Sequence, residues 1–274
     1  MGEADKIRFD GKRVLVVGGA SGMGKAASLL VKELGGWVSV ADIQDAPHAD
    51  QSIKVDLRDS ASIDAALKQV DGPIHALLSC AGVADGMAGL MKINFLGQRY
   101  IIEELIATGK LGRGSAISAI SSIGGFGWEK NMAVIDEILA TPSYDAGAKW
   151  VDAHPEWDNY TFSKQVMNAY ASQQGARLLI NNGIRFNTIA PGPTMTPLMD
   201  AQDVWKQFEM GFRATMNTPG STAEQQAWPL VFLASDAASF INGTVLTVDA
   251  GFVGAGYTKS IDSPMFDAVL GQWL

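Results

Sequence analysis

The sequence predicts an α/β protein made of one domain, in which a doubly wound parallel sheet carries helices on both faces. Short apolar, β-branched runs alternate along the 274 residues with longer segments of helical period. Parallel strands that are covered on both faces show such continuous apolar runs, because neither face meets water. No linker or internal repeat divides the chain, so we expect a single domain over residues 1–274.

Six strands and five helices are predicted, in alternating order. The strands are Val14–Val17, Trp37–Ala41, Ile74–Ser79, Ser115–Ile120, Ile184–Ile189 and Val245–Val248. The helices span 22–34, 60–70, 92–108, 160–180 and 222–235. This order of strand, helix and strand is typical of a parallel sheet wound on both faces.

Two segments interrupt the alternation. Residues 126–159 contain two short helical stretches, Met132–Ala140 and Tyr144–Ala153, separated by Pro142, and are predicted to be an insertion. Residues 193–220 are rich in Met, Thr and Pro, and they are predicted to be an irregular substrate loop. Near the C-terminus, four apolar residues are expected to dock on a neighbouring subunit or to cover a pocket: Phe266, Leu270, Trp273 and Leu274.

Composition and charge exclude several kinds of partner. The chain has 21 basic and 29 acidic side chains, a net charge of −8 and no cluster of Lys and Arg, so we expect no nucleic acid or anionic membrane as partner. Cys80 is the one cysteine and the three histidines are scattered, so neither an intrachain disulfide nor a metal site is predicted. The polar N-terminus lacks a signal peptide and no run reaches the roughly 18 apolar residues of a membrane helix, so a soluble, cytoplasmic protein is expected.

A glycine-rich turn follows the first strand and opens the first helix. It reads Gly18-Gly19-Ala20-Ser21-Gly22-Met23-Gly24, where backbone N–H groups and the helix dipole can hold a phosphate. A mononucleotide P-loop is disfavoured, since Ala26 stands after Lys25 where such a loop has a hydroxyl for Mg²⁺. The glycine spacing suits a dinucleotide, whose pyrophosphate needs close approach of the backbone. A plain strand-to-helix connection is the remaining alternative.

Asp42 follows the second predicted strand, where a carboxylate can accept both hydroxyls of an adenosine ribose. A carboxylate at this point repels a 2′-phosphate, and neither Ser21 nor Ile43 supplies a compensating positive charge. We therefore expect a dinucleotide site that favours NAD over NADP.

Tyr160 and Lys164 lie four residues apart on one face of a predicted helix. A phenol has a pKa of roughly 10, but a nearby ammonium and a positive nicotinamide both favour phenolate, so we expect the pKa of Tyr160 to be lowered. Ser122 follows a predicted strand and is placed to hold a substrate oxygen, because ligands of wound sheets bind at the carboxyl ends of strands. These residues predict acid/base chemistry on an alcohol.

From about Gly11 to Phe252 these motifs resemble the short-chain dehydrogenase/reductase family. The glycine motif matches residues 18–24, with Val17 where the family usually has Thr. The family's NNAG motif resembles Ser79-Cys80-Ala81-Gly82, altered in its first two positions, and its PG motif resembles Pro191-Gly192. The resemblance implies a Rossmann-like fold, a nicotinamide cofactor and hydride transfer between an alcohol and a ketone.

The resemblance also implies roles for individual residues. The catalytic set would be Asn94, Ser122, Tyr160 and Lys164. The cofactor would contact Gly18, Ser21, Gly22, Met23, Gly24, Asp42, Ile43, Asp56, Leu57, Cys80, Ala81, Gly82, Tyr160, Lys164, Pro191, Gly192, Thr194 and Thr196. Asp56 and Leu57 would lie against the adenine, and Thr194 and Thr196 against the nicotinamide carboxamide. Tyr160 would exchange the proton, Ser122 would hold the substrate oxygen, Lys164 would lower the pKa of Tyr160 and bind the ribose, and Asn94 would hold a water.

The insertion separates Ser122 from Tyr160 by more residues than is usual in the family. Together with the run from Asn187 to Gly192, it resembles the bacterial 3α-hydroxysteroid dehydrogenase/carbonyl reductase subgroup. The loops beyond the strands offer an apolar pocket wall: Phe126, Trp128, Met132, Met195, Leu198, Met199, Trp205, Phe208, Met210 and Phe212.

We therefore expect the substrate to be a hydrophobic secondary alcohol or ketone, steroid- or terpenoid-like. We also expect a homo-oligomer, either a tetramer or a dimer. Two alternatives stay open: an NAD-sensing binding or regulatory protein with the same fold, and an epimerase or dehydratase that holds NAD tightly.

Overall fold

The computed structural model describes residues 2–200 and 203–266 and confirms the predicted α/β class. Seven parallel strands form one sheet in the order β3-β2-β1-β4-β5-β6-β9. They are β1 (Arg13–Val17), β2 (Trp37–Asp42), β3 (Gln51–Lys54), β4 (Ile74–Ser79), β5 (Leu111–Ile120), β6 (Arg185–Pro191) and β9 (Val245–Val248). A separate parallel pair consists of β7 (Thr194–Met195) and β8 (Ser221–Thr222).

Helices cover both faces of the sheet. They are α1 (Gly22–Glu33), α2 (Ser60–Gln69), α3 (Gly97–Ala107), α4 (Met132–Leu139), α5 (Tyr144–Ala153), α6 (Tyr160–Asn182), α7 (Pro197–Asp200), α8 (Asp203–Met216), α9 (Ala223–Ala234) and α10 (Phe252–Thr258). On one face α1 and α9 pack on the strands, and on the other α2, α3 and α6 share a core with the insertion helices α4 and α5. Within the described residues no helix combines the length and apolarity needed to cross a bilayer.

The strand order reverses between β1 and β4, because the chain moves from β1 to β2 and β3 on one side and then returns to β4 on the other. A crevice opens beyond the carboxyl ends of strands at such a switch point. The fold therefore places the glycine-rich turn after β1 and the Cys80–Gly82 segment after β4 on either side of one crevice.

Six observed strands and helices are absent from the sequence prediction: β3, β7, β8, α7, α8 and α10. The edge strand β3 has only four residues, of which only Ile53 is buried, so its apolar signal is short. The segment 193–220 is not irregular, since α8 covers Asp203–Met216 and buries Phe212. Trp205, Phe208 and Phe212 recur at helical spacing and were the signal for this helix.

The 126–159 insertion lies on the outer face of α3 and α6. Arg99 on α3 donates to the carbonyl oxygens of Ile138, at 3.2 Å, and Thr141, at 2.7 Å. Trp157 packs on Phe162 of α6 with ring centroids 4.6 Å apart. The insertion therefore thickens one helical layer of the domain.

Leu270, Trp273 and Leu274, which were predicted to dock on a neighbouring subunit or to cover a pocket, lie outside the described residues.

Candidate active site

A large cavity, of about 410 Å³, lies at the switch point between β1 and β4. Thirteen of the residues predicted to contact the cofactor line it: Gly18, Ser21, Gly22, Met23, Gly24, Asp42, Ile43, Asp56, Leu57, Cys80, Ala81, Gly82 and Thr196. It is also lined by residues that the sequence did not single out, among them Gln44, Val55, Arg58, Val83 and Met87. The fold thus brings at least five separate segments of sequence to one cavity.

The glycine-rich turn fits a phosphate. Gly18 has φ +79°, and a Cβ on it would lie 2.4 Å from the backbone of Ala81, so only glycine lets the turn pass β4 this closely. Gly22 has φ +53°, but a Cβ there would meet nothing nearer than Thr196, at 3.7 Å. The space beside Gly22, at the start of α1, is therefore open to a ligand group that needs backbone N–H donors.

Asp42 is fixed in orientation at the end of β2. Its Oδ2 accepts a hydrogen bond from Ala20 N at 2.9 Å, and its Oδ1 accepts one from Gln44 N at 2.9 Å. An ionised carboxylate has about four acceptor positions, so two remain for the hydroxyls of a ribose. The glycine-rich turn and Asp42 are thus connected directly through Ala20.

The segment after β3 forms another wall of the cavity. Arg58 donates to both carboxylate oxygens of Asp56, from Nε at 2.9 Å and from Nη2 at 2.7 Å, and this pairing lowers the pKa of Asp56. Leu57 lies between them with its side chain buried. The bidentate pair gives the segment a defined shape.

The four predicted catalytic residues come from three elements. Lys164 on α6 is buried and its Nζ donates to Ile120 O at 3.0 Å, at the end of β5. The same Nζ lies 5.4 Å from the ring centre of Tyr160. Ser122 follows β5, and its Oγ accepts a hydrogen bond from Gly124 N at 3.0 Å. The Ser121 hydroxyl donates to Lys164 O at 3.1 Å, which holds the loop that contains Ser122 against α6.

Asn94 lies in a π-helical turn, Lys92–Leu96, immediately before α3. Its Oδ1 accepts from Val83 N at 2.8 Å, and its Nδ2 donates to Val83 O at 3.0 Å and to Ser163 Oγ at 3.1 Å. Asn94 therefore ties the loop after β4 to α6. Single π turns are frequent at functional sites, and the role of Asn94 in holding a water stays a prediction.

Burial controls the ionisation of the catalytic pair. It raises the pKa of Tyr160 to about 12, with a smaller raising effect from the charge of Asp85, although the hydrogen bond with Ser122 lowers it. Burial also lowers the pKa of Lys164 to about 8. In the chain by itself the net effect on the pKa of Tyr160 is therefore upward, because both groups lose hydration when they are enclosed. The lowering expected from Lys164 together with a bound nicotinamide stays a prediction.

Two residues outside the predicted catalytic and cofactor-contact sets contact Tyr160 or its backbone. Asp85, after β4, accepts a hydrogen bond from Tyr160 N at 2.7 Å and so holds the start of α6. Trp205 on α8, predicted as a pocket wall, meets the Tyr160 ring edge to face with centroids 4.6 Å apart. No local pattern reveals the Asp85 contact, since 75 residues separate the partners.

Other predicted residues lie elsewhere. Gly192 lines a second cavity of about 230 Å³, and neither Thr194 nor Pro191 is among the residues that line the large cavity. The Thr194 hydroxyl donates instead to Gly192 O at 3.0 Å. Of the predicted pocket-wall residues, Leu198 lines the large cavity. Trp128 and Met132 pack on the main core instead. Phe212 belongs to an aromatic cluster with Phe252, and Met210 is 67% exposed. The apolar wall is therefore smaller than predicted.

His75 and His154 contact neighbouring residues of the fold, and Cys80 lies on the cavity wall. His75 Nδ1 accepts from Arg13 N at 3.0 Å, and His154 stacks on Trp150 with ring centres 4.4 Å apart. In the described part of the chain, no group of three His, Cys, Asp or Glu side chains is arranged to hold a metal. Burial raises the pKa of the Cys80 thiol, so it is present as a neutral thiol on the cavity wall.

Known proteins match most of the chain. The family model described as enoyl-(acyl carrier protein) reductase matches residues 18–253. The coniferyl-alcohol dehydrogenase of Pseudomonas sp. is 24% identical over 89% of this chain and 98% of its own length. The 3α-hydroxysteroid dehydrogenase/carbonyl reductase of Comamonas testosteroni is 26% identical over 87% of this chain and 95% of its own.

Among solved structures, the 3α-hydroxysteroid dehydrogenase of Pseudomonas sp. B-0831, complexed with NADH, superposes with a TM-score of 0.73. It is 24% identical, and the match covers 91% of this chain and 99% of that one, so it shows the same fold. The family-level match and the motif residues gathered at the switch point lead to one assignment: the chain is an oxidoreductase of the short-chain dehydrogenase/reductase family.

Proposed function

We propose that this protein is an NAD-dependent dehydrogenase that interconverts a hydrophobic secondary alcohol and its ketone. The observation that supports this most is the juxtaposition of Ser122, Tyr160 and Lys164 beyond β5, beside a cavity with a glycine-rich turn. An alcohol needs a group that accepts its proton, a group that orients its oxygen and a hydride acceptor next to its carbon.

Each catalytic residue has a distinct task in this proposal. Tyr160 exchanges a proton with the substrate oxygen, and Ser122 holds that oxygen in place. Lys164 is anchored on Ile120 O and has further N–H donors for a ribose hydroxyl. When bound, the oxidised nicotinamide supplies the hydride acceptor and a positive charge near Tyr160. Because the chain alone keeps the pKa of Tyr160 at about 12, that added charge favours the phenolate needed for alcohol oxidation.

The preference for NAD over NADP is proposed from Asp42. Its carboxylate is held by two backbone N–H groups, so it cannot easily turn away from a 2′-phosphate. Among the described residues that line this cavity, Arg58 is the basic one, and it already pairs with Asp56. An added phosphate would therefore meet a fixed negative charge.

The apolar, cyclic character of the substrate is proposed from the aromatic contact at Tyr160. Trp205 presents a flat side chain beside the reacting group, and Leu198 adds an aliphatic wall. The two curated relatives described above are named for coniferyl alcohol and for 3α-hydroxysteroids, both of them ring compounds with a hydroxyl group.

The homo-oligomer is proposed as a dimer that uses the β9 edge of the sheet. The insertion occupies the outer face of α3 and α6. By contrast, Leu246 on β9, Phe240 in the segment before β9 and Trp228 on α9 are exposed, with Phe240 fully exposed. Light scattering of the purified protein measures the mass of the assembly directly. A cytoplasmic location stays a prediction.

The decisive experiment is a panel of secondary alcohols assayed with NAD and with NADP, with Tyr160→Phe as the control. Steady formation of NADH from cyclic apolar alcohols, lost in Tyr160→Phe, is expected. Binding of NAD without turnover favours the regulatory alternative, and turnover without net NADH release favours an epimerase or dehydratase. Unchanged activity in Tyr160→Phe would contradict the assignment of the acid/base group.

A further inference from the structure

The 126–159 insertion packs on α3 and α6, and it also contacts the wall of the large cavity. Tyr144, at the first turn of α5, is buried, and its hydroxyl donates a hydrogen bond to the carbonyl oxygen of Leu57 at 2.9 Å. Leu57 lines the large cavity and belongs to the segment proposed to face adenine. The insertion therefore contacts the cofactor wall directly, over a sequence separation of 87 residues.

The Leu57 carbonyl is enclosed from a second side. Gly97, the first residue of α3, approaches so closely that a Cβ on it would lie 2.6 Å from Leu57 O and 2.8 Å from Leu57 Cβ. The carbonyl is thus packed against α3 and hydrogen-bonded by Tyr144. A buried carbonyl that loses its donor carries a desolvation cost, so this backbone segment adopts the conformation that keeps the bond.

Tyr144 is itself held rigidly. Arg99 on α3 fixes the turn before α5 through the Thr141 carbonyl, at 2.7 Å, and the Thr141 hydroxyl, at 3.1 Å. The Tyr144 ring also packs against Tyr100, with ring centres 5.8 Å apart. Burial and the nearby carboxylates of Asp56 and Asp59 raise the pKa of Tyr144, so the hydroxyl remains a donor throughout the neutral range.

We propose that the insertion is a positioning element of the cofactor site, in which Tyr144 holds the Leu57 carbonyl and thereby sets the wall against which the adenine packs. The contacts of Asp56 with Arg58 and of Asp56 N with Ser62 are local to the segment. Tyr144 anchors the same segment to a distant layer of the domain. Dinucleotide affinity, and not the chemical step, is the property that this anchor controls.

The test compares Tyr144→Phe with the matched control Tyr100→Phe. Both changes delete one phenolic hydroxyl, but the Tyr100 hydroxyl donates to Asp64, at 2.8 Å, and not to the cavity wall. Dissociation constants for NADH and for 5′-AMP are measured by fluorescence titration and calorimetry. We expect Tyr144→Phe to weaken both ligands by the same factor, at least threefold, with kcat unchanged and KM for NAD raised, and Tyr100→Phe to stay within twofold of the wild type.

Amide hydrogen exchange over residues 55–59, measured without any ligand, gives a second readout. It should be faster in Tyr144→Phe than in the wild type and unchanged in Tyr100→Phe. A variant that only loses thermal stability, with equal 5′-AMP affinity and equal exchange, would overturn the proposal. The proposal rests on the dinucleotide assignment: if the wild type binds neither NADH nor 5′-AMP, both fail, whereas wild-type affinity in Tyr144→Phe removes this inference alone.

Discussion

Replacing Gly22 by alanine separates the stability of the glycine-rich turn from its capacity to hold a phosphate. Gly22 has φ +53°, and a Cβ there would meet no atom closer than 3.7 Å. The cost to folding is therefore conformational: an alanine in the left-handed region is disfavoured by roughly 1–2 kcal/mol, partly offset by about 0.4–1 kcal/mol from the stiffer unfolded chain. A loss of about 1 kcal/mol, or about 2–4 °C in Tm, is expected.

The effect on ligand binding should be larger. The added methyl group would occupy the space that a phosphate needs in order to reach the backbone N–H groups at the start of α1. Loss of one hydrogen bond to a charged group weakens binding by about 1.5–3 kcal/mol, so the Kd for NADH should rise about tenfold or more. Fluorescence titration with NADH and urea unfolding of the protein without cofactor measure the two quantities.

Gly18→Ala is the contrasting variant. A Cβ at Gly18 would lie 2.4 Å from the Ala81 backbone, and the residue has φ +79°. Backbone overlap adds about 1–3 kcal/mol to the conformational cost, so this variant should unfold far more readily than Gly22→Ala. Equal destabilisation of the two variants would show that the space at Gly22 is not open. Wild-type NADH affinity in Gly22→Ala would show that the turn does not hold the phosphate.

Two further predictions concern stability. Burial lowers the pKa of Lys164 to about 8 in the folded protein, so between about pH 8 and pH 10 the unfolded chain binds a proton that the folded protein lacks, and the free energy of unfolding should rise with pH. In urea titrations without cofactor, Lys164→Met should abolish this rise. An unchanged dependence on pH in the variant would contradict the burial argument. Ala250 has φ +56°, so Ala250→Gly should stabilise the protein by about 0.5–1 kcal/mol in thermal unfolding, and a lower Tm would disprove the strain.

Much of the fold could be predicted because its signals are local. The strand before Gly18, the turn itself and α1 follow one another in sequence, and their apolar runs and glycines have the same meaning in any wound sheet. The two helices of the insertion were also predicted, since each has its own periodicity and Pro142 lies between them. The edge strand β3 was missed because four residues with one buried side chain carry too little pattern.

The candidate site, like the fold, could be predicted only in part. Tyr160 and Lys164 could be paired from their spacing, because four residues make one turn of a helix. Asp42 could be placed beside the glycine-rich turn from the order of strands. The contacts of Asp85 and Trp205 with Tyr160 could not be predicted, because these residues are distant from Tyr160 in sequence. They meet it only when the loop after β4 and helix α8 pack over α6.

The sequence by itself determined the family and the parallel sheet, and it supplied the proposed set of reacting side chains, because these depend on residue type and short spacing. The tertiary structure decided the direction in which the pKa of Tyr160 shifts. Burial raises that pKa, because the phenol loses its hydration only when the chain is packed. The tertiary structure also decided the place of the insertion, where Tyr144 meets Leu57 across 87 residues. A contact of that separation depends on how the helical layers pack, and no local pattern encodes it.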